Sequence, residues 1–286
     1  MSTRDALDSS FRTVFHPMTS RWLEAYAPWR LARNRRTDVF LLWFPKTGGT
    51  WVRLLLHDVL VKHFDVKNAP PLELEPLHDL DARIPRLRPF HDDAPHWKRP
   101  EQLRPHKERY RGKKVVLLVR DPRDTIVSLH LQVTKRWKVS PKTTLDQFVW
   151  QKRGSFETYL RFYNLWAEHR DVPSELLMLR YEDIHADPHG KLRQLVDFVG
   201  VEGVTDQLIA DSVEHNRIES LRKREAAGQY QTSRLRPGDT SDPESFKARR
   251  GKVGGFVDYL RPEDIAEMTR RTREELDPWY GYTNLE

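Results

Sequence analysis

The junction between residues 39 and 60 constrains this chain more than any other stretch. The apolar run Val39-Phe40-Leu41-Leu42-Trp43-Phe44 passes through Pro45-Lys46-Thr47-Gly48-Gly49-Thr50-Trp51 into the helix-patterned stretch Val52-Arg53-Leu54-Leu55-Leu56-His57-Asp58-Val59-Leu60. A buried strand that turns through glycines into a helix aims backbone N–H groups at one point, where the positive end of the helix dipole favours an anion. The junction therefore predicts a P-loop-like phosphate cradle with a lysine beside it. Its wording is not the Gly-x-x-x-x-Gly-Lys-Ser/Thr of nucleoside triphosphatases, because Lys46 precedes its glycines. A metal-dependent, P-loop-type kinase is accordingly the rival enzyme reading rather than the first one, and a nucleotide- or polyanion-binding module that keeps the cradle without chemistry is the non-enzymatic rival.

The strand-to-helix pattern recurs twice. Val115-Val116-Leu117-Leu118-Val119 reads as a buried parallel strand, followed by Arg120, by Asp121 as N-cap and by Pro122 at the first helical position, with Asp124 in the first turn. Arg120 then stands at the carboxyl end of a strand, where open α/β sheets bind ligands, and Ser128 lies two turns into the helix. An arginine fork donates two charge-assisted bonds to a phosphate, and a hydroxyl can add a third. Further on, Leu176-Leu177-Met178-Leu179 leads through Arg180-Tyr181-Glu182-Asp183 and a loop to Asp187-Pro188, which opens an amphipathic helix closed by Gly200. A third basic cluster, Arg249-Arg250-Gly251-Lys252-Val253-Gly254-Gly255-Phe256, lies near the C-terminus. Strands alternating with helices predict an α/β fold: a single domain with a central parallel sheet flanked by helices.

Together these segments resemble the sulfotransferases that use 3′-phosphoadenosine 5′-phosphosulfate (PAPS), over residues 39–256. The first segment is similar to their 5′-phosphosulfate loop, commonly Pro-Lys-Ser-Gly-Thr-Thr-Trp, with Thr47 in place of the serine and Gly49 in place of the first threonine. The resemblance implies that Lys46, Thr47, Gly48, Gly49, Thr50 and Trp51 bind the phosphosulfate end. It implies that Arg120 and Ser128, with Arg249, Arg250 and Gly251, hold the 3′-phosphate, and that Tyr181 reaches the nucleotide end. PAPS would be the co-substrate, 3′,5′-diphosphoadenosine (PAP) the product, and no metal would be needed.

Sulfuryl transfer to an alcohol needs positive charge at the departing phosphate oxygen and a base for the acceptor proton. Lys46 supplies the charge. The segment Pro85-Arg86-Leu87-Arg88-Pro89-Phe90-His91 is similar, without a gap, to the family strand that delivers its catalytic histidine, which makes His91 the first candidate base and His96 the second. Pro89 stands where the family often has lysine. Asp92-Asp93 follow, and their carboxylates either orient His91 or belong to a solvated turn.

The 286 residues suffice for one large α/β domain, and the formal charge of +7 suits a polyanionic small molecule, nucleic acid or an anionic membrane surface. No nucleic-acid module accompanies that charge, so the expected partner is a small-molecule or glycan acceptor. With no cysteine, disulfides, thiolate metal sites and cysteine nucleophiles are excluded, which is compatible with a reducing cytosol. No run approaches the ~18 apolar residues of a membrane span, so a cytoplasmic protein is expected. Residues 1–37 read as a helical leader with an apolar stripe (Phe11, Val14, Phe15, Met18, Trp22, Leu23), ahead of the domain at 38–286. The aromatic-rich residues 147–170 read as a helix pair, and residues 222–250 as a mobile surface loop inside the domain. The family's C-terminal dimer signature is not recognisable, which leaves the oligomeric state open.

Overall fold

The computed structural model describes residues 34–284 apart from 231, 233 and 234. The apolar stripe expected in the leader lies outside the described residues. The four apolar runs form strands: β1 (Val39–Trp43), β2 (Leu87–Phe90), β3 (Lys114–Val119) and β4 (Glu175–Arg180). They pair in the order β2-β1-β3-β4, all parallel, with Val39 opposite Leu87 on one side and opposite Lys114 on the other. Parallel strands require crossovers: α1 (Gly49–His63) lies between β1 and β2, and α2 (Pro122–Leu131) and α3 (Phe156–Glu168) lie between β3 and β4, while α4 (Tyr181–Ala186), α5 (Pro188–Val199), α6 (Asp206–His215), α7 (Ile218–Ala226) and α8 (Pro262–Glu275) follow the last strand.

Because successive strand side chains face opposite ways, β1 feeds two cores. Leu41 and Trp43 join Leu55, Leu56 and Val59 of α1 and Leu195 and Val196 of α5 on one face. Phe40 and Leu42 join Ile126 of α2 and Tyr159, Tyr163 and Trp166 of α3 on the other. Burying each such side chain is worth roughly 1.5–3 kcal/mol, which is what holds the helices to the sheet. Pro89 fits inside β2 because β2 pairs with β1 alone, at the sheet margin, where a missing N–H leaves no neighbour unsatisfied.

The caps follow the sequence. Asp121 accepts from Arg123 N at 2.8 Å to start α2, and Asp187 accepts from Gly190 N at 2.9 Å to start α5, which ends at Gly200 with φ 84°. Three expectations need correction. The first member of the helix pair is only the five-residue helix Leu145–Val149. No loop follows β4, since Tyr181 is the first residue of α4. The segment 222–250 begins inside α7, and Tyr230, Leu235 and Phe246 are buried along it. Among the described residues no helix is long and apolar enough to cross a membrane.

Candidate active site

A cavity of about 660 Å³ opens at the carboxyl ends of β1, β2 and β3. Its floor is the turn after β1. Gly48, with φ 97°, sits in the left-handed region, and a Cβ there would come within 2.7 Å of the Tyr181 ring. At Gly49 a Cβ would meet the Trp43 indole at 2.2 Å. Both positions therefore admit only glycine, and the turn presents bare backbone. Gly48 O accepts from Trp51 N at 2.9 Å and from Val52 N at 3.1 Å, so the N–H groups of Gly49 and Thr50, which precede any helical carbonyl, are the ones the start of α1 offers to an anion. Lys46 adopts φ 77°, uncommon for a residue with a side chain, and its Nζ donates to Gln132 Oε1 at 3.1 Å. Burial, reinforced by the charges of Lys247, Arg136, Arg120 and Arg249, pulls its ammonium well below the ordinary lysine range.

Arg120 ties three parts of the cavity together. Its Nη1 donates to Lys46 O at 3.3 Å, its Nη2 to Lys252 O at 3.2 Å and to Asp124 Oδ2 at 3.2 Å, and its guanidinium lies 4.3 Å from the Tyr181 ring centroid. It is 9% exposed, and its Nε is buried without a partner. Ser128 lines the cavity from α2, where most of its neighbours are buried. Asp124 accepts from Gly254 N and Phe256 N, both at 2.9 Å, and so fastens the C-terminal glycine stretch beside Arg120. Arg249 pairs with Glu244 at 3.0 Å and Arg250 with Asp258 at 2.8 Å, and Gly251 holds φ 62° against Ile218. Trp51 Nε1 donates to Asn216 O at 2.9 Å, with its ring edge-on to Tyr181.

His91 lies just past β2. Its Nδ1 is 3.3 Å from Trp43 O, and its ring stands edge-on to Trp43 with centroids 5.6 Å apart. A carbonyl oxygen only accepts, so Nδ1 carries the proton and the lone pair falls on Nε2. His96 stands behind it at 5.4 Å between ring centroids, against Trp97 and Trp137, and is not part of the cavity wall. Burial, then the charge of His91, holds His96 well below the usual histidine range. The two carboxylates after His91 turn away from it. Asp92, fully buried, accepts from Lys107 Nζ at 3.0 Å, Tyr110 OH at 2.6 Å, Trp166 Nε1 at 3.0 Å and Arg109. Asp93 pairs with Lys98 at 2.5 Å.

The structure thus gathers Lys46, Gly48, Gly49, Thr50, Trp51, His91, Arg120, Ser128, Tyr181, Arg249, Arg250 and Gly251 around one cavity. Thr47 is the exception. It is fully buried, and its Oγ1 donates to Phe44 O at 2.9 Å, away from the cavity, so its side chain does not replace the serine as a hydroxyl donor. Gln132 and Asp124 went unread as site residues. Asp124 carried only a helix-dipole signal, and Gln132 none, because its partner Lys46 is 86 residues away. No group of three or more His, Asp or Glu among the described residues is placed to hold a metal ion.

Comparison with known proteins now places this architecture. Residues 36–279 match the sulfotransferase domain, and the chain belongs to that family. It is 28% identical over 265 residues to cytosolic sulfotransferase 17 of Arabidopsis thaliana, covering 85% of this chain and 75% of that protein. It is 24% identical over 258 residues to flavonol 3-sulfotransferase of Flaveria bidentis, covering 84% and 81%. The fold is similar to that of mouse sulfotransferase SULT7A1 complexed with PAP, with a TM-score of 0.59, 20% identity and 87% of each chain covered.

Proposed function

We propose that this sulfotransferase moves the sulfuryl group of PAPS to a hydroxyl or amine of a small-molecule acceptor by in-line displacement, releasing PAP. The observation that carries the reading is the convergence of three anion-binding segments, distant in sequence, on the cavity wall that also holds His91. The residues fit such a ligand: the Cβ-free floor at Gly48 and Gly49 accepts close backbone approach, and the orphaned Arg120 Nε awaits an acceptor. The bound donor supplies an activated sulfuryl group on a phosphate leaving group. Arg120, Ser128, Arg249, Arg250 and the Gly251 amide hold the 3′-phosphate. The N–H groups from Thr47 to Trp51 and the Thr50 hydroxyl hold the phosphosulfate, and Trp51 and Tyr181 flank the nucleotide.

Lys46 leaves Gln132 for the bridging oxygen, where its charge is most favourable as the phosphate departs. His91 Nε2 takes the acceptor proton as the acceptor oxygen bonds to sulfur and the sulfur–phosphate-oxygen bond breaks. Family membership removes the support for a kinase and for a binding module without chemistry. Curated relatives are named cytosolic sulfotransferases, and we assign the chain to the same compartment. The test is transfer from labelled PAPS to a panel of phenols, alcohols, sugars and amines, alongside Arg120→Ala. That variant should weaken PAPS far more than adenosine 5′-phosphosulfate, which lacks the 3′-phosphate. An equal loss for both would remove Arg120 from that role, and transfer of phosphate from Mg²⁺-ATP instead would overturn the reading.

A further inference from the structure

One side of the cavity is more cationic and more polar than the donor requires. Among the described residues, nine lysines and arginines line it against two carboxylates, Asp124 and Glu225. Both carboxylates are engaged within the protein, Asp124 as described and Glu225 with the N–H groups of Lys247 at 2.6 Å and Ala248 at 2.9 Å. Arg120, Arg249 and Arg250 belong to the donor face. Arg136 and Lys247 belong to none of the phosphate motifs, yet both line the same cavity as Lys46.

Arg136 closes the π-helical turn Gln132–Arg136, a wide turn of a kind that recurs at functional sites. Its Nη1 donates to Gln132 Oε1 at 3.4 Å, the same oxygen that accepts from Lys46. Gln132 is 4% exposed, and its Nε2 is buried with no partner. A ligand oxygen accepting from that amide would satisfy the buried donor. Lys46 and Arg136 both hold the carboxamide oxygen, so Nε2 is the donor left over for a ligand. The next residue, Trp137, is 42% exposed and stacks on Trp97 at 5.7 Å, forming an apolar flank.

We propose that the acceptor is a hydroxyl compound bearing an oxyanion, carboxylate or phosphate, which docks on Gln132 Nε2 and the Arg136 guanidinium beside Lys247, with its apolar body against Trp137. The inference rests on the sulfuryl-transfer reading above. It is tested on the full chain loaded with PAP, by calorimetric titration with 4-hydroxyphenylacetate, 4-hydroxyphenyl phosphate and the neutral 4-hydroxyphenylacetamide. At least one anion should bind roughly tenfold or more tighter than the amide, the usual worth of a hydrogen bond to a charged group, and whichever anion wins identifies the oxyanion. Arg136→Gln, and independently Gln132→Leu, should erase the preference while PAP still binds. Equal binding of amide and anions, or a preference that survives both substitutions, overturns the proposal. Failure of the unmodified chain to bind PAP would overturn the sulfuryl-transfer reading itself, a result the acceptor titrations do not produce.

Discussion

His91 owes its suitability as a base to a carbonyl. With Trp43 O fixing the proton on Nδ1, the basic lone pair lies on Nε2 without any tautomer change. His91→Ala should cut transfer by roughly 10²- to 10⁴-fold, the span of a general base, and leave PAP affinity nearly intact. His96→Ala should do much less; a larger loss from His96 than from His91 would move the base. Lys46 makes a separate prediction. Its pKa is depressed by burial and by neighbouring cations, so over part of the range between that lowered value and ordinary lysine it is neutral in the free protein. Bound anions favour its charged form, so PAP binding should take up a proton, more so as pH rises through the lowered pKa. Calorimetry in buffers of different ionisation enthalpy reads the uptake, and Lys46→Met should remove it. No uptake in the unmodified chain at any pH below the ordinary lysine range would contradict a depressed Lys46.

At the scale of elements, the start of α2 binds the site to the rest of the chain. Asp124, in its first turn, holds Arg120 and the backbone of Gly254 and Phe256 at once. Asp124→Ala should weaken PAP by about 10- to 100-fold, as expected from losing hydrogen bonds to a charged acceptor, and should speed amide exchange at Gly254 and Phe256. Unchanged exchange there would show that the carboxylate does not hold the glycine stretch. The sequence made β1, β3 and the caps at Asp121 and Asp187 legible because apolar runs and N-caps are local signals. It did not reveal that α4 begins at Tyr181, since that depends on Glu182 accepting from Asp121 N at 2.9 Å and from Tyr282 OH at 2.7 Å, 61 and 100 residues away. Thr47 was misread for the same reason: a motif gives the hydroxyl, and only packing against Phe44 O and Tyr163 gives its direction.

Across the whole molecule, the core on the α2–α3 side meets the site through Asp92, which draws the end of β2, the turn around Tyr110 and helix α3 onto one carboxylate. Asp92→Ala would strand Lys107 and Arg109 without it, and the expected cost is about 3–5 kcal/mol, visible as a drop in denaturant midpoint at unchanged slope. A change under about 1 kcal/mol would mean that the surrounding charges find water instead. The parallel order β2-β1-β3-β4 places the turn after β1 and Arg120 after β3 on inner strands, and His91 on the outermost one. Under the proposed assignment, the donor is held from the inner strands and the β4 edge, and the acceptor is met along the β2 edge, around His91. Descendants of such a gene can change what they modify by substitutions along that β2 edge while inheriting the donor machinery intact.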